Sequence, residues 1–221
     1  MTPLSPTPRS TITRKKERGR SDRAELYAVL DEGLVCHLGL VLDGSPVVLP
    51  TGYGRDGDTL YLHGSTGSPS MRAAATEADI CVTVTLLDSV VYARSINNHS
   101  MNYRSAVMHG RARALSGDEK QHGLRVLTDH LAPGSWKHAR DVNAKEFAAV
   151  SVLALDLAEA SVKVRDGGVV DEPSDVEADV AWAGVLPIRT SFGPPETDPK
   201  CSVPVPAHVS ERVGPSTKLP R

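Results

Sequence analysis

The chain has 221 residues, a formal net charge of −2, and 24% charged against 40% hydrophobic residues, which fits one soluble domain with appendages and a real core. That balance excludes a whole-domain electrostatic attraction to nucleic acid or to an anionic membrane, and no apolar run approaches the ~20 residues of a membrane helix. Cys36, Cys81 and Cys201 form neither a disulfide framework nor a metal spacing, and the first twenty residues hold no apolar leader; both point to a reducing, cytoplasmic setting.

Residues 1–20, rich in Thr, Pro, Ser and Arg, are expected to be a disordered basic tail. A helix follows, capped by Asp22 with Glu25 and ended by Gly33, with Ala24, Tyr27 and Leu30 at helical spacing. Leu34 to Leu42 is an apolar strand, Asp43-Gly44 is a hairpin turn that needs positive φ, and Ser45 to Tyr53 is the returning strand. After the turn at Arg55–Asp58, Thr59 to His63 completes a meander. Gly64 to Ser68 is a small-residue loop, and Pro69 opens a short helix to about Glu77.

Asp79 to Leu87 alternates as a strand; Val90–Ser95 and Tyr103–Leu115 follow, separated by the polar loop Ile96–Asn102. Ser116 and Glu119 start a helix to about His130, and Phe147–Leu155 and Ala160–Val164 are the last strands. The acidic run 166–181 reads as a solvated surface segment. Seven prolines among residues 189–221 mark an irregular tail. Many short antiparallel strands with a few helices give a mainly β barrel with helical decorations over residues 21–188. No G-x-G-x-x-G follows a strand, which disfavours a Rossmann fold.

Histidines 37, 63, 99, 109, 122, 130 and 138 match no zinc signature, so no metal site is expected. A loop of small and hydroxyl residues that opens a helix is suited to a phosphate, because amides, hydroxyls and the helix dipole converge there. Residues His63 to Ser68 have this form. Arg72, on the first turn of the following helix, can add a charge-assisted contact.

Several stretches in order carry a resemblance: Val35-Cys36-His37-Leu38-Gly39, then Leu49 to Asp58, then Leu60 to Ser68 with Arg72, and then Ala93-Arg94-Ser95 with Asn102 to Val107. Ala160 to Arg165 and Trp182 to Pro187 continue it. Together they resemble the flavin-nucleotide-binding, Nim-type branch of the pyridoxamine 5′-phosphate oxidase-like family. The resemblance implies a six-stranded antiparallel split barrel, a homodimer, and FMN in a cleft between subunits. It assigns cofactor contacts to Thr51, His63, Gly64, Ser65, Thr66, Ser68, Arg72, Arg94, Arg104 and Trp182. Pro69 stands where many relatives carry Arg or Lys.

Plainer readings stand beside these. His63 can be a strand-end histidine bonded to backbone, Arg94 and Arg104 can neutralise acidic neighbours, and Trp182 can close an apolar gap. The resemblance implies an FMN-dependent oxidoreductase acting on a small molecule, and names no catalytic side chain. The alternatives are a non-catalytic module that stores or senses flavin, and the same barrel holding F420 or haem.

Overall fold

The computed structural model describes residues 3, 4, 6–76 and 78–215 of the chain. Strand β1 (Gly19–Arg20) leads into helix α1 (Arg23–Glu32), where Asp22 caps the first turn by accepting from the Ala24 N–H at 2.9 Å. The expected meander follows as β2 (Val35–Leu42), β3 (Ser45–Asp56) and β4 (Thr59–Ser65). Asp43 and Gly44 both have positive φ, 51° and 77°, which matches the right-handed twist of the strands they join.

Helix α2 (Pro69–Ala74) starts at its proline; the expected end at Glu77 lies outside the described residues. Strand β5 (Asp79–Tyr92) joins what the sequence reads as two strands, with an irregularity between Leu87 and Ser89 where the alternation slips. Then come β6 (Ser100–Arg111), β7 (Arg113–Ala114), α3 (Gly117–Leu131), α4 (Ser135–His138) and α5 (Ala144–Ala149). An Asn143–Glu146 capping box holds α5, so Phe147 is helical and the next strand begins only at Val150. The chain continues through β8 (Val150–Asp156), β9 (Ala160–Arg165), α6 (Pro173–Ala178), β10 (Gly184–Pro187), β11 (Ser191–Phe192), α7 (Ala207–Ser210) and β12 (Gly214–Pro215).

One antiparallel sheet runs in the order β1-β9-β6-β5-β2-β3-β4-β8-β7, with β10 also on β5. The fold is mainly β with a few helices, as expected for a split barrel. The sheet has ten strands rather than six; the short segments β1 and β7 at its edges and β10 along β5 are three of the additional four. Strand β4 pairs with β3 only from Tyr53 to Asp56, so the first half of β3 is a sheet edge among the described residues. Pro46 and Pro50 lie there, where a missing N–H costs no ladder bond.

Alternation aims Leu38, Leu60, Leu62, Val82, Val84, Met108, Leu153, Leu155 and Val162 into the barrel, all buried. Each such aliphatic side chain stabilises the fold by about 1.5–3 kcal/mol. Helix α1 plugs one end with Leu26, Val29 and Leu30. Tyr53, also buried, donates its hydroxyl to the carbonyls of Leu30 (2.6 Å) and Gly33 (2.9 Å), tying helix to barrel. Gly33 ends α1 for a reason the sequence hid. Its φ of −74° suits any residue, but a Cβ there would lie 2.6 Å from Val84 Cγ1 and 2.7 Å from Tyr53 Oη. A second cluster, Tyr61, Leu115, Leu127 and Val152, seats α3 on β3, β4 and β8.

The N-terminal stretch departs from the expected disordered tail. Leu4 is buried in the main core, and Gly19 and Arg20 pair with Lys163 and Val162. Arg9 grips Glu159 through Nε (3.0 Å) and Nη2 (2.6 Å), and the Thr7 hydroxyl donates to the same carboxylate. Arg9 thus finds acids on the barrel, Glu159 and Asp79, a long-range pairing that composition does not reveal. Arg9, then Thr7, hold the Glu159 carboxyl down at about 2. A folded-state value below the unfolded one means that this anchor is complete above about pH 4.5 and is lost as pH falls towards 2. NMR relaxation of residues 6–11 should therefore report a mobile segment at pH 2 and below and a fixed one at pH 6. Glu159→Gln should be mobile at both, and a segment equally fixed throughout contradicts the assignment.

The Pro-rich C-terminal stretch also takes shape within the described residues. β11 pairs with β12, Arg212 donates to the Leu131 carbonyl at 2.9 Å, and the rings of His208 and His138 meet at 5.0 Å. Residues 216–221 of that expected tail, like residues 1, 2 and 5 of the N-terminal one, lie outside the described residues.

Candidate functional site

The small-residue loop connects β4 to α2 and is closed by its own bonds. The Thr66 N–H reaches the Ala149 carbonyl (2.9 Å), the Gly67 N–H reaches Ser65 Oγ (3.1 Å), and the Ser68 N–H reaches the Ser65 carbonyl (3.0 Å). These amides are spent within the protein, which differs from the expected nest of free N–H groups. Thr66 Oγ1 also donates to Ala149, at 3.2 Å. What remains for an anion is the hydroxyl hydrogen of Ser65, the paired hydroxyls of Ser68 and Ser70 (2.9 Å apart), and Arg72.

Arg72 folds back over the loop as the sequence predicts. Its Nη1 donates to the Gly67 carbonyl at 3.0 Å, which fixes the guanidinium and leaves Nε and Nη2 for an incoming oxyanion. Gly64 lies against Met71, whose Cγ would be 2.7 Å from a Cβ at that position, so the loop approaches α2 closely only because residue 64 is glycine. Thr51 on β3 is half-buried, and the neighbouring Gly52 lies beside the His63 ring. His63–Ser68 and Arg72 therefore form one connected group at the end of β4, and Thr51 lies mid-strand on β3 next to the Gly52 that borders the His63 ring.

His63 points outward, and its ring makes no hydrogen bond among the described residues. Surrounding protein atoms disfavour its charged form and lower its pKa, so the imidazole is neutral at physiological pH. Three other histidines are committed. His99 Nδ1 accepts from the Ala93 N–H (2.9 Å), His122 Nε2 meets Asp56 (2.9 Å), and His130 Nε2 meets the Gly33 carbonyl (2.7 Å). No cluster of three metal-binding side chains occurs among the described residues.

The structure holds Arg94, Trp182 and Arg104 apart from that loop. β2 and β10 share one edge of β5, β2 at Cys81–Thr83 and β10 at Ser89–Tyr92, and Arg94 and Trp182 belong to the β10 end. Trp182 is 69% exposed, and its ring lies 5.7 Å from that of Tyr92. Arg94 is bound by Asp179 (2.7 Å) and by Asp171 (3.2 Å), with Asp171 also accepting from the Arg94 N–H. Burial pushes the Asp171 carboxyl up, but Arg94 overcomes it and holds it below the usual carboxylate value. The acidic run thus contributes a fixed anchor as well as a solvated surface, which its composition concealed.

Arg104 is engaged on both edges. It meets Glu32 through Nη1 (2.5 Å) and Nη2 (2.9 Å), and Asp88 through Nε (3.0 Å) and Nη2 (2.8 Å). All three side chains are less than a quarter exposed. This network bolts the end of α1 to β5 and β6, the plainer of the two readings that the sequence allows for this residue.

A family model described as pyridoxamine 5′-phosphate oxidase matches residues 22–164. Among solved structures the chain is 41% identical to the flavocytochrome Anf3 from Azotobacter vinelandii, over 96% of this chain and 100% of that one, with a TM-score of 0.88. It is 40% identical to the FAD and heme binding protein from Mycobacterium smegmatis, over 90% of this chain and 98% of that one, with a TM-score of 0.86. A candidate 5-nitroimidazole antibiotic resistance protein from Bacteroides thetaiotaomicron, 23% identical over 66% of this chain and 86% of its own (TM-score 0.57), shares the fold. No curated protein sequence matches the chain.

Proposed function

The chain belongs to the pyridoxamine 5′-phosphate oxidase-like family, and from that premise we infer that it is a flavin- and haem-binding oxidoreductase that works as a homodimer. The observation that carries this reading is the likeness, over nearly the whole chain, to a flavocytochrome and to a protein that binds FAD and haem. It supports FAD over FMN as the flavin and haem as a second cofactor. Bound flavin would supply the two-electron chemistry and haem the one-electron chemistry.

The residues fit both groups. Ser65, Ser68 and Arg72 would hold a flavin phosphate through side-chain donors, since the loop amides are spent. His63 would ligate haem iron, because a neutral imidazole with an uncommitted ring nitrogen is what ligation needs. A homodimer would cover the outer face of β2 and β3, where Val35, Val41 and Val48 are 51%, 62% and 66% exposed. The three cysteines are free thiols, which suits a cytoplasmic setting. No helix among the described residues is long and apolar enough to cross a membrane.

Arg72→Ala tests the flavin site. A hydrogen bond to a charged group contributes about 1.5–3 kcal/mol, so FAD and FMN should bind roughly tenfold to hundredfold more weakly by fluorescence titration. Riboflavin, which lacks the phosphate, should hardly change. Equal weakening of all three, or of none, makes Arg72 a surface residue and misplaces the site.

A further inference from the structure

Arg165, the last residue of β9, is 8% exposed and is the only charged residue among the buried described residues. Its partners are all neutral oxygens. Nη1 donates to Asn102 Oδ1 and to the Gly167 carbonyl (3.2 Å), and Nη2 donates to the Gly168 carbonyl (3.0 Å). Arg165 makes no ion pair with a carboxylate among the described residues. Other arginines behave differently: Arg9, Arg55, Arg104, Arg113 and Arg140 each grip a carboxylate with two hydrogen bonds. A cation withdrawn from water is costly unless an anion compensates it, and three carbonyl-type oxygens satisfy hydrogen bonding without neutralising charge.

A guanidinium has five N–H donors, and three are used here. The two that remain are Nε–H and the second Nη2–H, which together form the side-on fork that accepts a carboxylate or phosphate in two parallel bonds. The surroundings add positive charge. Arg18, on the N-terminal segment that packs along β9, lies close enough to disfavour the Arg165 cation, and Lys163 lies two residues back on the same strand. The nearby negative groups are weak opponents. Asp166 is exposed and has only a minor influence on Arg165, and Glu17 sits 3.9 Å from Arg18.

We propose that the open edge of Arg165, flanked by Arg18, is a binding site for an oxyanion, a phosphate or carboxylate group of a bound molecule. The site is separate from the Arg72 loop. Strand β9 lies between β1 and β6, whereas the Arg72 loop follows β4, which lies between β3 and β8. A propionate of haem fits the chemistry, since the flavin phosphates are assigned to the Arg72 loop. The oxyanion site rests on the burial and hydrogen bonding of Arg165; only its assignment to haem rests on the flavin and haem reading.

The test is calorimetric titration of the full-length protein with pyrophosphate, inorganic phosphate and propionate, in wild type, Arg165→Gln, Arg18→Gln and Arg72→Ala. At least one anion should bind wild type, lose roughly tenfold or more in affinity in Arg165→Gln, weaken several-fold in Arg18→Gln, and still bind Arg72→Ala at this site. Haem content that falls while flavin binding holds supports the propionate. Failure of the protein to bind flavin or haem leaves the anion titration intact and sinks only the cofactor reading. If none of the anions distinguishes Arg165→Gln from wild type, the proposal is overturned. Should Arg165→Gln fail to fold, Arg18→Gln decides, and unchanged anion binding in it overturns the proposal equally.

Discussion

Replacing Gly54 with valine should lower stability by about 3 kcal/mol, at the upper end of what overpacking costs. Gly54 lies on β3 where α3 crosses it, and a Cβ there would come within 2.8 Å of the Val126 carbonyl oxygen and 3.0 Å of Leu127 N and Cα. Those atoms are helix backbone, so no rotamer change relieves the clash. The helix must move away, and with it Leu127, which closes the second apolar cluster over Tyr61 and Val152. Gly57 provides the contrast. It has φ +55° but nothing within 4 Å, so Gly57→Ala is strained by backbone conformation and not by packing, and should cost about 1 kcal/mol. Urea denaturation of both variants checks this. Equal losses would mean that α3 does not seat on Gly54.

Arg104→Met should be the other severe change, again about 3 kcal/mol, because it leaves Glu32 and Asp88 facing each other, half-buried, without the cation between them. In a domain of this size that lowers Tm by roughly 6–12 °C. The triple replacement Arg104→Met, Glu32→Leu, Asp88→Leu should recover most of the loss, since apolar groups of similar volume avoid the uncompensated charges. Cofactor affinity, measured well below the new Tm, separates the two sequence-based readings of Arg104. An intact affinity supports a structural bolt. A loss of affinity out of proportion to the loss of stability shows that Arg104 also serves the cofactor.

Local signals made much of this fold legible. Asp22 caps as a short polar side chain does, Asp43-Gly44 turns as a pair that tolerates positive φ, and alternation in β5 separates core from surface. The Ser65–Ser68 loop and Arg72 were readable for the same reason, since loop and helix are adjacent in sequence. The hidden parts depend on distant partners. Arg9 could not be matched to Glu159 across about 150 residues of chain. Gly33 looked like a helix terminator because nothing local reveals Val84 and Tyr53 behind it. Arg165 resembled any strand-end arginine until its neutral partners were seen. The ten-stranded sheet was missed because two-residue edge strands have no periodicity to detect.

The visible absorption spectrum of the purified full-length protein, reconstituted with FAD and haem and passed through gel filtration, tests the central claim most directly. The account predicts the two flavin bands together with a Soret band that shifts on reduction, and His63→Ala should lose or displace the Soret band while keeping the flavin bands. A protein that emerges with neither chromophore, or with a deazaflavin band alone after exposure to F420, contradicts it.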